Sequence, residues 1–119
     1  MTVRIYGIRN CDTMKKAFDW LNAQGVAYDF HDYRAEGVDS ATVKAWCDKL
    51  GWEKVLNKAS TTFRNLPDAD KAGLDEDKAI ALMVREPTMI KRPVLEVGDR
   101  VLNGFKPEVY RAALEKQVN

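Results

Sequence analysis

A chain of 119 residues is long enough for a single domain that buries a hydrophobic core without disulfides or metal ions to hold it together. Hydrophobic residues make up 45% and charged residues 31% of it, a balance typical of a globular protein and not of a disordered one. The formal net charge of +1, from 19 basic and 18 acidic side chains, gives no electrostatic reason to expect nucleic acid or a membrane surface as partner.

The sequence carries no signal for targeting or metal binding. No run approaches the ~20 apolar residues that span a bilayer, and MTVRIYGIRNC lacks the apolar stretch of a signal peptide. Cys11 and Cys47 lie far apart and His31 is the one histidine, so no zinc or iron–sulfur spacing is present. We therefore expect a cytoplasmic protein with free thiols, no metal and no tightly bound cofactor.

The first third of the chain predicts a strand, a helix and a second strand. Residues 3–6 form a short apolar run that Gly7 ends, and a helical period begins at Asp12 and stops at Gly25. Its apolar face consists of Met14, Ala17, Phe18 and Leu21. Apolar and polar residues then alternate over 26–32, which favours a second strand. Such a βαβ unit predicts two parallel strands with a right-handed crossover.

The middle of the chain predicts helices. One can be capped by Asp39 or Ser40 and ends at Gly51. Its apolar face consists of Val43, Trp46, Cys47 and Leu50. Residues 57–69 are polar and rich in turn formers, so we expect a loop with little regular structure there. A further helix is predicted over 75–85, with Ile80, Met83 and Val84 facing inward.

The last third predicts a β-hairpin and a helix. Two apolar runs, 94–97 and 101–102, are joined by Gly98 and Asp99, which is a hairpin signal. Pro107 suits the first position of a closing helix. The inward side of that helix consists of Tyr110, Ala113 and Leu114. The order βαβ, helical insert and ββα predicts an α/β protein with a four-stranded mixed sheet.

Cys11 lies where the first strand meets the first helix. Unpaired N–H groups and the positive end of the helix dipole favour a thiolate there, the reactive form of cysteine. The alternative is a small buried hydrophobic side chain. Because Asp12 opposes the thiolate, a nearby cation would help. The candidates are Arg9, Arg64, Arg92 and Lys106.

Met14 occupies the position that would complete a Cys-x-x-Cys pair with Cys11. A vicinal disulfide is therefore excluded, and any redox cycle must use an external thiol or a distant cysteine. Cys47 is the internal candidate, but its place on an apolar helix face predicts burial.

Three blocks, IYGIRNCDTMKKAFDWL, LNKASTTFRNL and EPTMIKRPVLEVGDRVLNGFKPEVY, resemble the arsenate reductase/Spx family, and in particular its YffB-like branch of small bacterial proteins. The resemblance covers nearly the whole chain. It implies a thioredoxin-like fold, with residues 1–38 and 87–119 as the core and 39–86 as a helical insertion.

The resemblance also implies roles for individual residues. Cys11 matches the family's nucleophile, Arg64 and Arg92 match two oxyanion-binding arginines, and Pro93 matches a cis-proline that faces the cysteine. Lys106 stands where arsenate reductases have a third arginine. Since an ammonium group cannot fork two hydrogen bonds onto an oxyanion, this difference argues against arsenate as the substrate.

The function implied is a glutathione-dependent thiol reductase that acts on a small anionic or mixed-disulfide substrate. Glutathione is expected as co-substrate at Asn10, Arg92 and Pro93, glutaredoxin as a further partner, and a monomer as the working form. Two alternatives remain. One is an arsenate reductase coupled to glutathione and glutaredoxin, and the other is an Spx-like regulator that binds RNA polymerase, although Met14 removes the usual Spx redox switch.

Overall fold

The computed structural model describes residues 2–118 of the chain. These residues belong to two compact units, one made of residues 2–36 and 92–118 and the other of Gly37–Lys91. Within the described part of the chain, no helix combines the length and apolar character that a bilayer crossing requires.

The strands in chain order are β1 (Val3–Gly7), β2 (Asp29–Asp32), β3 (Val94–Val97) and β4 (Arg100–Asn103). The helices are α1 (Asp12–Ala23), α2 (Tyr33–Glu36), α3 (Ser40–Leu50), α4 (Trp52–Val55), α5 (Thr61–Arg64), α6 (Asp68–Lys71), α7 (Glu76–Arg85) and α8 (Pro107–Val118). A short 3₁₀ helix, Pro87–Met89, follows α7.

The first unit contains the predicted mixed sheet, in the order β2-β1-β3-β4. β1 runs parallel to β2 and antiparallel to β3, and β3 and β4 form the antiparallel hairpin. Ile5 in β1 is level with Phe30 on one side and Leu95 on the other. The predicted α/β class and strand pairing are confirmed.

The core of the first unit lies between the sheet, α1 and α8. Helix α1 buries Met14, Ala17 and Leu21, which lie three and four residues apart and so share one helix face. Helix α8 adds Tyr110 and Leu114 to the same apolar cluster. The predicted inward faces of these two helices are confirmed, except that Phe18 is only partly buried.

Gly7 allows β1 and α1 to approach each other closely. A β-carbon at Gly7 would collide with the sulfur and methyl group of Met14. Because Met14 is 1% exposed, its side chain has little room to move away. The end of β1 therefore needs a residue without a side chain.

The two longest helices of the second unit begin at side-chain caps. The carboxylate of Asp39 accepts a hydrogen bond from Thr42 N (2.8 Å) at the start of α3, and that of Asp75 accepts one from Lys78 N (2.9 Å) at the start of α7. Gly51 ends α3 with φ of 88°, a backbone angle that favours glycine. These predicted helix boundaries are confirmed to within one residue.

The second strand is shorter than predicted. The sequence indicated a strand over 26–32, whereas β2 begins at Asp29. The reason is local, because Val26 N donates to Leu21 O (3.0 Å) and so helps to close α1. Val26 and Tyr28, the apolar residues of the alternating pattern that precede β2, still pack against the core.

Residues 57–69 were predicted to lack regular structure, and this was wrong. They contain α5 and the start of α6. Ser60 Oγ accepts a hydrogen bond from Phe63 N (3.1 Å), and this cap begins a single helical turn that buries the Phe63 ring. One-turn helices are too short for a periodic pattern to reveal.

Candidate functional site

Cys11 is the N-cap residue of α1 and follows the loop that leaves β1. Its backbone is extended (φ −123°, ψ 130°), and its carbonyl accepts the first hydrogen bond of the helix from Lys15 N (2.9 Å). Asn10, directly before it, has φ of 54°, a left-handed conformation that asparagine tolerates better than most residues. The predicted position of Cys11 at a helix start is confirmed.

The surroundings of the Cys11 sulfur favour the thiolate. Partial burial raises the pKa of Cys11, but the backbone amides of Met14 and Thr13 and the Arg92 guanidinium stabilise the thiolate and hold that pKa below its ordinary value. The two amides are first-turn N–H groups that lack helical partners. Cys11 is the N-cap residue by backbone position, and its side chain makes no capping hydrogen bond.

Arg92 connects the sulfur to a buried tyrosine. Its side chain interacts by hydrogen bonding with both Cys11 and Tyr33, and these two contacts raise the pKa of Arg92 although burial opposes them. The Arg92–Pro93 peptide bond is cis, as the resemblance implied. Pro93 is buried directly before β3, and its carbonyl accepts a hydrogen bond from Gly104 N (2.8 Å).

Tyr33 is a site residue that the sequence did not predict. It is the first residue of α2, is fully buried, and has its pKa raised to about 12 by burial, with Arg92 acting in the opposite direction. The one local signal in the sequence was Asp32, a residue type that often caps a helix start. In the structure its carboxylate accepts hydrogen bonds from Arg34 N (3.0 Å) and Ala35 N (3.3 Å), as a helix cap does. That signal predicts the turn but not its contact with Arg92.

Two other predicted cations, Arg64 and Lys106, are exposed. Arg64 is the exposed last residue of α5 in the second unit, where its carbonyl accepts a hydrogen bond from Lys71 Nζ (2.9 Å). Lys106 is exposed directly before α8, and its carbonyl accepts from Val109 N and Tyr110 N, each at 3.0 Å. The roles of Arg64 and Lys106 as anion ligands stay predictions.

A groove of about 700 Å³ begins at Cys11 and runs between α1 and the strand-like segment that leads into β2. Arg9 lines this groove, with its Nε atom 3.7 Å from Asp32 Oδ2 and its guanidinium 5.4 Å from the centre of the Phe30 ring. The groove also includes Asn10. Both belong to the same unit as the thiol.

Cys47 differs from Cys11 in its exposure to solvent and in the direction of its pKa shift, both of which govern thiol reactivity. It is 3% exposed within α3, which confirms its predicted burial. Burial, with the carboxylates of Glu76 and Asp48, raises the pKa of Cys47 to about 11. Among the residues described here, no three His, Cys, Asp or Glu side chains are placed to hold a metal ion.

Comparison with known sequences identifies relatives along almost the whole chain. A profile of the ArsC family matches residues 6–113. An uncharacterized protein of Haemophilus influenzae is 40% identical over 111 residues, which are 93% of this chain and 97% of that protein. The global transcriptional regulator Spx of Streptococcus mutans is 26% identical over 109 residues, which are 90% of this chain and 79% of Spx.

Solved structures show the same fold. The YFFB protein is 60% identical with a TM-score of 0.93, and the match covers 95% of this chain and 99% of that one. An arsenate reductase from Vibrio cholerae is 23% identical with a TM-score of 0.81, over 97% of both chains. At that identity the second comparison concerns the fold alone, which is the thioredoxin-like fold of these proteins.

Proposed function

We propose that this chain, which belongs to the ArsC family, is a glutathione-dependent thiol reductase with Cys11 as its nucleophile. The observation that carries the proposal is the place of Cys11, a partly exposed N-cap residue of α1 beside Arg92, where the first-turn amides and the guanidinium lower the pKa of the thiol. A thiolate that is partly exposed and held in this way is the usual attacking group in thiol–disulfide exchange.

The reaction begins when the Cys11 thiolate attacks the glutathione sulfur of a mixed disulfide. A Cys11–glutathione disulfide forms, the old S–S bond breaks, and the substrate leaves as a thiolate that takes a proton from water. A second glutathione thiolate, or the thiol of a glutaredoxin, then attacks the glutathione sulfur and frees Cys11. With glutathione as reductant, the net products are the substrate thiol and glutathione disulfide, so glutathione is a co-substrate and no bound cofactor is needed.

Arg92 has two roles in this proposal. It stabilises the Cys11 thiolate, and together with Asn10 and Pro93 it binds glutathione. A guanidinium has five N–H donors in a fixed fork, which suits it to engage a sulfur and a carboxylate at once. Arg64 and Lys106 are proposed to bind further negative charge on the substrate, and a cytoplasmic monomer is the proposed working form.

The test uses the mixed disulfide of glutathione and 2-mercaptoethanol, with glutathione oxidation followed through NADPH and glutathione reductase. We expect turnover by the wild type, none by Cys11→Ser, and wild-type turnover by Cys47→Ser, which removes the buried thiol instead. A Cys11→Ser protein as active as the wild type would refute the proposal. Arsenate offered in place of the disulfide distinguishes the arsenate reductase alternative.

A regulatory role is a second candidate because Spx of S. mutans matches 90% of this chain. As a regulator, the protein would bind RNA polymerase through its surface and would not need Cys11. Binding of the purified protein to purified RNA polymerase, measured for the wild type and for Cys11→Ser, tests this. Equal binding by both, together with no turnover of the disulfide, would support the regulator and refute the reductase.

A further inference from the structure

The groove beside Cys11 extends far beyond the thiol. It follows one side of α1 through Lys15 and Phe18 to Asn22. From Cys11 to Asn22 the helix rises about 16 Å at ~1.5 Å per residue. An extended polypeptide covers ~3.3 Å per residue, so the groove is long enough for about five residues. A thiol as small as 2-mercaptoethanol would leave most of it empty.

The far part of the groove has aromatic walls. Phe18 stacks on Tyr28 with ring centroids 5.6 Å apart, and it meets Phe30 edge-to-face at 5.0 Å. All three rings are partly exposed and line the groove. Such rings offer an apolar or aromatic side chain a favourable contact.

The charges along the groove balance each other. The cations are Arg9 and Lys15, and the anions are Asp12 and Asp19. Two positive and two negative side chains give no preference for an anionic occupant such as a second glutathione. This contrasts with the Arg92 side of the thiol, where the charge is positive.

Arg92 is near the Cys11 sulfur but is not part of the groove. The backbone of Arg92 and Pro93 leads into β3, neither residue lines the groove, and the Arg92 side chain interacts with Cys11 and Tyr33. The groove is formed by α1 and by residues in and before β2. The two halves of a mixed disulfide at Cys11 can therefore contact different residues at the same time.

We propose that the groove binds the polypeptide next to a glutathionylated cysteine of a protein substrate, extended along α1 with an apolar or aromatic side chain against Phe18 and Phe30. The inference rests on the proposed reductase function and adds the substrate class. Glutathione occupies the Arg92 side and accepts the bond to Cys11. The protein cysteine leaves as a thiolate from the groove side and takes a proton from water. A second glutathione thiolate then attacks the glutathione sulfur of the Cys11–glutathione disulfide, which frees the Cys11 thiolate and forms glutathione disulfide.

The test compares S-glutathionylated peptides of seven residues with blocked ends and no charged side chains. One series has Phe two residues before or two residues after the cysteine, and the control has Ala at both positions. We expect kcat/KM for one Phe peptide to exceed that for the Ala peptide about three- to tenfold, the range expected for one aromatic contact. Equal values for all three peptides would overturn the proposal.

Lys15 and Lys16 provide a matched pair of variants. Both are exposed on α1, but only Lys15 lines the groove. Lys15→Trp and Lys16→Trp remove the same charge and add the same ring. We expect the Phe preference to fall below about twofold in Lys15→Trp, where the indole fills the groove, and to stay unchanged in Lys16→Trp. An equal preference in both variants would overturn the proposal.

Two further substrates separate the possible failures. If the mixed disulfide of glutathione and 2-mercaptoethanol is not turned over, the reductase function itself is wrong. If it is turned over but the peptides show no Phe preference, only the groove proposal fails. The mixed disulfide of glutathione and benzyl mercaptan is compared with that of glutathione and 2-mercaptoethanol. If its kcat/KM is higher by as large a factor as that of the Phe peptide over the Ala peptide, the occupant is a small aromatic thiol and the peptide proposal is overturned.

Discussion

At the scale of single residues, the two cysteines show how position determines reactivity. Cys11 is the N-cap residue of a helix and interacts with Arg92, and its pKa is lowered there, whereas burial near carboxylates raises the pKa of Cys47 to about 11. Both are free thiols of the same chemical type. Hydrogen-bond donors, a cation and access to solvent account for the difference.

We predict that iodoacetamide alkylates Cys11 more than about tenfold faster than Cys47 at pH 7. The thiolate is the reacting form, and its fraction at a given pH rises as the pKa falls, which outweighs the lower nucleophilicity of a less basic thiolate. Removing the cation in Arg92→Ala raises the pKa of Cys11, so alkylation at pH 7 slows. Peptide mapping by mass spectrometry between pH 5 and pH 10 measures both sites, and equal rates would show that Cys11 is an ordinary thiol.

Tyr33 is predicted to act through Arg92 as a positioning residue. Tyr33→Phe keeps the buried ring but removes the hydroxyl that interacts with Arg92. We expect the midpoint of the Cys11 alkylation profile to shift to higher pH. Tyr110→Phe is the matched control, because its hydroxyl is also largely buried but donates to Gly104 O (2.7 Å). A shift of the same size in both variants would mean that the effect is only structural.

At the scale of elements, the contact between β1 and α1 places the thiol. Gly7 ends the strand against Met14, and Cys11 begins the helix only four residues later. Met14 also stands where a dithiol protein has its second cysteine. Because Met14 is 1% exposed and fills this contact, its position serves packing rather than redox chemistry.

Gly7→Ala is predicted to lower the free energy of unfolding by about 1–3 kcal/mol, the usual cost of adding a methyl group to a packed interior. Met14→Ala should cost about 2–5 kcal/mol by leaving a cavity. In the double variant Gly7→Ala/Met14→Ala, the added methyl group meets no sulfur. Its loss of stability should therefore be smaller than the sum of the two single losses. Urea denaturation of the four proteins measures this coupling, and additive costs would contradict the proposed contact.

At the scale of the whole molecule, the first unit is built from both ends of the chain. Its apolar cluster joins Val3 and Ile5 near the N-terminus to Leu95, Tyr110 and Leu114 near the other end. The second unit, Gly37–Lys91, is a continuous segment with its own buried residues. That residues 39–86 form a helical insertion in a thioredoxin-like core stays a prediction. The proposed role of Arg64 as an anion ligand stays a prediction as well.

Tyr110 tests how strongly α8 stabilises the first unit. It is 1% exposed, whereas its neighbour Val109 is 41% exposed. Tyr110→Ala should lower the free energy of unfolding by about 3–5 kcal/mol, and Val109→Ala should change it by less than about 0.5 kcal/mol. Thermal and urea unfolding measure both. Similar costs for the two variants would mean that α8 is not part of the core.

The sequence by itself determined the order and type of the long elements. Periodic apolar residues, capping residues such as Asp39 and turn formers such as Gly98 act within a few positions, so the chain pattern reveals α1, α3, α7, α8 and the hairpin. It also placed Cys11 at a helix start. It did not reveal α2, α4, α5 or α6, because one turn contains too few residues for a period.

Only the tertiary structure decided which side chains meet the thiol. Arg92 reaches Cys11, and Tyr33 reaches Arg92, because β1 pairs with β2 on one side and with β3 on the other, and a contact of this kind depends on strand pairing between distant segments. The groove beside α1 arises in the same way, from aromatic residues of two elements. Local pattern acts over one turn or one strand, whereas a site forms where several elements converge.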